Sequence, residues 1–101
     1  MAKGYWIANV EVHDPEVYKG YIQANAIAFA KYGARFVVRG GRYEVVDGKS
    51  RSRQVVIEFK DYETALACFH SPEYQAAYAI RRPISEGDLV IVEGYDGPQP
   101  A

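Results

Sequence analysis

Few side chains in this chain suit proton transfer or the holding of a charged ligand, and they fall in short clusters. His70 stands directly before Ser71-Pro72, at a break in a helical stretch. An imidazole titrates close to neutral pH, so His70 suits a general base acting on an acidic C–H or a phenolic proton. It could equally cap the C-terminus of the segment before it. His70 and Tyr74 are the two candidates for catalysis. Arg39 and Arg42 bracket the pair Gly40-Gly41. Arg39 could hold a carboxylate-bearing ligand bidentately, whereas Arg42 is expected to neutralise Glu11, Glu58 or Glu93 on a sheet. Arg81 and Arg82 close a helix just before Pro83, where the dipole favours cations, and Arg81 is a further anion-binding candidate. Tyr18 and Asn25 complete the ligand-binding set with Arg39 and Arg81. Nine tyrosines in 101 residues leave room for an aromatic-lined cleft.

Other chemistries are poorly served. There is no Ser-His-Asp order, and Gly40-Gly41 lacks the Lys and Ser/Thr of a phosphate-cradling loop. His13 precedes a helix cap and is expected to be exposed. Two histidines without a carboxylate at ligand spacing make a poor metal site, so neither metal nor cofactor is expected. The single cysteine, Cys68, follows Ala65-Leu66-Ala67 and reads as a small buried hydrophobe in a reducing, cytoplasmic compartment. Twelve basic and 13 acidic residues give a formal charge of -1, which argues against nucleic-acid binding through phosphate neutralisation. The start, Met1 to Trp6, does not read as a signal peptide, and no stretch approaches the roughly 20 apolar residues of a membrane span.

The elements that must position these groups follow from periodicity. Gly4 to Val12 alternates and predicts a first strand. Asp14 is an N-cap, Pro15 fits the first helical position and Glu16 the positive end of the dipole. Tyr18, Tyr21, Ile22, Asn25, Phe29 and Tyr32 then recur at helical spacing until Gly33. Ala34 to Val46 predicts one long strand, bulged or bent at Gly40-Gly41 and closed by Asp47-Gly48. Arg53 to Phe59 predicts a third strand. Asp61-Tyr62-Glu63 opens a second helix, punctuated at His70-Ser71-Pro72 and renewed from Tyr74 to about Ile80. Ser85 to Asp88 is expected to turn, with a last strand from Leu89 to Gly94 and a fraying extension from Tyr95 to Ala101.

The order βαββαβ predicts a single α+β domain with a ferredoxin-like antiparallel sheet and two helices on one face. The strands are apolar on both sides: Trp6, Ala8, Val10 and Val12 oppose Tyr5, Ile7, Asn9 and Glu11, and Leu89 and Ile91 oppose Val90 and Val92. A sheet with a solvated face should alternate more cleanly. The second face therefore needs cover, and a homodimer packed through it is the expectation. RNA binding on that face is excluded, because the third strand lacks the basic-Gly-aromatic signature and carries Glu58.

Lys3-Gly4-Tyr5-Trp6-Ile7, Asp14-Pro15-Glu16 with Tyr18 and Tyr21, Val38-Arg39-Gly40-Gly41, Val55 to Phe59, and Ser71 to Gln75 with Arg81 together resemble the domain of unknown function 1330 family. The resemblance spans essentially the whole chain. It implies a dimeric α+β barrel, the architecture of cofactor-free monooxygenases, muconolactone-isomerase-like enzymes and haem-binding chlorite-dismutase relatives, and it implies no particular reaction. Two functions remain open on the sequence. One is a small-molecule-binding protein with cofactor-free proton transfer on an aromatic or enolisable substrate. The other is a non-catalytic dimeric binding or stress-response module, whose pocket would be filled by Phe29, Phe69 and Tyr74.

Overall fold

Period-two alternation builds four strands and 3.6-residue periodicity three helices, in the order β1 (Gly4–Val12), α1 (Pro15–Tyr32), β2 (Arg35–Arg39), β3 (Arg53–Phe59), α2 (Tyr62–His70), α3 (Pro72–Arg81) and β4 (Ser85–Glu93). These come from a computed structural model that describes residues 2–100. Met1 and Ala101, the outer ends of the terminal stretches read above, lie outside the described residues. The strands form one antiparallel sheet in the order β2-β3-β1-β4, the ferredoxin-like arrangement of an α+β fold. Among the described residues no helix is long and apolar enough to cross a membrane.

Local chemistry sets most boundaries as expected. The Asp14 carboxylate accepts from the Val17 amide at 3.2 Å, Pro15 starts α1, and Gly33 ends it in the left-handed region at φ 69°. Asp61 caps α2 through the Thr64 amide at 2.8 Å. The second helix divides into α2 and α3, because Ser71 cannot continue the turn before Pro72. Its backbone is extended, at φ -68° and ψ 149°. The expected two helices are therefore three.

Two expectations fail. The long strand from Ala34 to Val46 stops at Arg39, and residues 40–52 form no regular element. Gly40 takes φ 66° and donates to the Gln54 carbonyl at 2.8 Å, ending the strand rather than bending it. The irregularity of register lies earlier, between Phe36 and Val38. It adds one residue to β2, so Phe36 and Arg39, three apart, both oppose inward residues of β3, Ile57 and Val55. Ser85 to Asp88 is strand and not turn: these residues pair with Val12, Glu11, Val10 and Asn9. Their turn-like composition yields to a full partner strand.

The core lies between the sheet and the helices. Trp6, Ile57, Phe59, Ala65, Cys68 and Tyr74 are all nearly inaccessible. The Trp6 indole donates to the Ala65 carbonyl at 2.8 Å and fixes α2 across β1. The opposite face of the sheet exposes Ile7, Val90 and Val92.

Candidate functional site

Between the helices and the inner face of the sheet lies a cavity of about 680 Å³. That volume is within the ordinary range for small-molecule sites. Its floor is the inward side of the strands, with Trp6, Val10, Ile57, Leu89 and Ile91. Its roof comes from α1 and α3, and α2 contributes Leu66, Phe69 and His70.

All six residues singled out from the sequence line this one space: Tyr18, Asn25, Arg39, His70, Tyr74 and Arg81. Tyr18 and Asn25 are buried on α1, seven residues apart and so on one face of the helix. Tyr74 is buried in the first turns of α3, edge-on to Trp6 at 4.8 Å between ring centres. His70, the last residue of α2, is exposed at the rim with its ring edge-on to Phe69 at 5.3 Å. Arg39 is also at the rim, its guanidinium 4.0 Å over the Phe36 ring. Arg81 reaches in from the end of α3, its guanidinium carbon 4.8 Å from the Tyr78 ring centre and 5.5 Å from that of Tyr21.

Sequence reasoning missed two members. Tyr21 shares a hydrogen bond with Tyr74, hydroxyl to hydroxyl at 2.9 Å, in a buried setting. Burial, reinforced by the Tyr74 hydroxyl, raises the Tyr21 pKa above the ordinary phenol range. Burial, with Tyr21 beside it, also raises that of Tyr18, while the Arg53 guanidinium pulls the other way. Arg53 is the second omission. Strict alternation down β3 puts Arg53 on the side of Val55, Ile57 and Phe59, so its inward direction was available from the sequence. Gly40 makes room for it: a β carbon there would stand 2.6 Å from Arg53 Nη1.

Arg42 does not line the cavity and is exposed. Two of the sheet carboxylates it was expected to neutralise meet other groups. Glu58 meets Lys3 at 3.4 Å and Arg35 at 3.5 Å, and Glu11 accepts from the Ser52 hydroxyl at 2.8 Å. Cys68 is fully buried and its thiol is pushed up to about 12 by desolvation, which leaves it unreactive at neutral pH.

The cavity thus joins an apolar, aromatic interior to guanidinium groups, phenols and a rim imidazole. Such a lining can enclose a planar ligand, stabilise negative charge developing on it and exchange a proton at its edge.

The family described as domain of unknown function (DUF1330) matches residues 3–95. No curated protein matches the chain. Among solved structures, a protein of unknown function from Rhodopseudomonas palustris is similar at 14% identity and TM-score 0.74, covering 95% of this chain and 85% of its own. SnoaB, a cofactor-independent oxygenase from Streptomyces nogalater, is similar at 14% identity and TM-score 0.63, with 99% and 97% covered. A dimeric ferredoxin-like protein of unknown function from Thermobifida fusca is 21% identical at TM-score 0.59, with 91% and 89% covered. At these identities the likeness is one of fold.

Proposed function

The chain belongs to the DUF1330 family, and since that membership assigns no reaction, we propose from its cavity that it is a homodimeric small-molecule-binding protein that transfers protons on an aromatic or enolisable ligand without a cofactor. The observation that carries this reading is the cavity of about 680 Å³ on whose walls the candidate acid–base and ligand-holding residues meet. His70 at the rim is the general base. Tyr74 donates its hydroxyl hydrogen bond to the oxygen on which charge develops. Arg39, Tyr18, Asn25 and Arg81 hold the ligand. The fold of the Streptomyces oxygenase supports the reading by analogy only.

Phe29, Phe69 and Tyr74 border the space and leave it open, which favours a ligand over a filled core. Deuterium exchange into 2-acetylcyclohexanone, an enolisable probe, tests the reaction. The protein is expected to accelerate exchange, and His70→Gln to abolish the acceleration while retaining binding. Binding without acceleration in the unaltered protein would leave the non-catalytic binding module as the function.

A further inference from the structure

We infer that the cavity is directional: a carboxylate head sits between Arg53 and Arg81 beside Tyr18, and an aromatic body extends from it towards Trp6, Phe69 and Tyr74. This rests on the small-molecule reading above and adds the charge and orientation of the ligand.

Strand register sets Arg53 and Gly87 on either side of Val10, and the charges of Arg53 and Arg81 both act on the Tyr18 hydroxyl. Val10 of β1 pairs with Arg53 of β3 on one side and with Gly87 of β4 on the other. Neighbouring strands run about 4.8 Å apart, so these partners flank Val10 closely. Arg53 points inward from β3. Arg81 descends from the helical layer onto Gly87, its Nη1 3.5 Å from where a β carbon would stand. Tyr18 stands beside them, with the Arg53 guanidinium carbon 5.6 Å from its ring centre and the Tyr21 ring centre 5.2 Å away.

The charge around this head is of one sign. Four arginines line the cavity, Arg39, Arg53, Arg81 and Arg82, and among the described residues no aspartate, glutamate or lysine joins them. None of the four takes part in an ion pair among the described residues, whereas Arg35 and Arg51, outside the cavity, pair with Glu58 and with Glu86 and Asp88. Arg53 Nε is buried and has no acceptor, a rare condition in a folded chain because it forfeits hydration without replacement. Arg81 donates to the Ser85 hydroxyl at 3.5 Å, the long limit of a hydrogen bond. A carboxylate supplies the missing acceptor and offsets the mutual repulsion of the guanidinium groups.

The body direction follows from the same strand. Trp6 and Val10 share the inward face of β1, four residues apart, a span of roughly 13 Å at about 3.3 Å per residue. A two-ring aromatic acid fits that span. Phe69 and Tyr74 stand 5.9 and 4.8 Å from Trp6 between ring centres and form an aromatic end wall, suited to edge and face contacts with another ring.

Calorimetric titration of the full chain with 2-naphthoate, its methyl ester and inorganic phosphate tests the assignment. The acid is expected to bind at submillimolar concentration, and the ester and phosphate each at least about tenfold more weakly. Arg53→Gln and Arg81→Gln should each weaken the acid by about tenfold or more and leave the ester unchanged. Equal affinity of acid and ester for the unaltered protein would overturn the carboxylate assignment while the small-molecule reading stands. Phosphate binding as tightly as the acid would overturn the aromatic half. Failure of acid and ester alike at millimolar concentration would overturn this inference together with the reading it rests on. The comparison of acid and ester needs no variant, so misfolding of either substitution does not shield the proposal.

Discussion

The hydroxyl pair of Tyr21 and Tyr74 couples core and site at the level of single atoms. Each phenol is buried and each is partner to the other at 2.9 Å. Tyr21→Phe removes one member and strands the Tyr74 hydroxyl, at an expected cost of about 1–3 kcal/mol in denaturant unfolding. The same variant has a pH signature. The Tyr21 pKa is raised in the fold, by burial first and then by Tyr74, so its contribution to stability is whole below about pH 10. That contribution is lost as pH rises through the folded value. The unaltered protein should therefore lose stability in strong alkali more steeply than Tyr21→Phe, and parallel profiles would refute the assignment. At this scale the sequence was informative about types. Six residues chosen as chemically able line one cavity. It was less informative about pairs: Tyr21 reads as one more core aromatic on α1, and its link to Tyr74 spans 53 positions. Arg53 was legible in its direction but not in its role. A charged residue at an inward strand position runs against the usual pattern, and such a departure from local rule is what a site requires.

Ser71 is the hinge between elements on which His70 and Tyr74 both depend. Its hydroxyl donates to the Cys68 carbonyl at 2.7 Å at the end of α2 and accepts from the Tyr74 amide at 3.1 Å at the start of α3. One buried oxygen thus satisfies two helix ends. Ser71→Ala leaves the Tyr74 amide unpaired and the Cys68 carbonyl with only the long bond from the Ser71 amide at 3.3 Å, and is expected to cost about 1–2 kcal/mol by chemical denaturation. Ser71→Thr, which keeps the hydroxyl, should recover part of that loss, and an equal loss in both variants would count against the capping role. This junction was legible, because Ser-Pro after a helical run has only a few backbone solutions. So were β1 and β3, whose predicted limits coincide with those observed. Strand edges near glycine were not. Gly40-Gly41 read as an interruption within a strand, yet the bulge sits at the apolar segment Phe36–Val38, where composition gives no sign of it. Ser85-Glu86-Gly87-Asp88 fails in the opposite sense, turn residues drawn into β4 by pairing along the whole of β1. Both errors are tertiary: a neighbouring strand decides, and the local sequence does not contain it.

At the scale of the whole molecule the two faces of the sheet have different fates. The inner face lines the core and the cavity. The outer face brings Ile7 beside Val90 and Val56, and Tyr5 beside Val92, in adjacent registers. Ile7 is 47% exposed, Val90 58% and Val92 38%, a contiguous apolar area of the kind a lone chain seldom leaves bare. The double-sided apolar pattern was plain in the sequence, and the proposed two-fold dimer, packing this face against itself, would cover it. In such a contact each side chain meets its own symmetry copy or a near neighbour, so one substitution acts twice. Val90→Glu would set two unpaired carboxylates into an apolar interface, a cost of several kcal/mol that the surrounding aliphatic contacts do not offset. The unaltered protein should sediment near twice its chain mass of 11.3 kDa, and Val90→Glu near the mass of one chain. A monomer before substitution would refute the dimer. The cavity lies on the other side of the sheet, between its inner face and the helices, so the monomeric variant should bind 2-naphthoate as the dimer does. Loss of that binding would make the second chain part of the site, and pairing of the two sheets would then be a condition of function as well as of solubility.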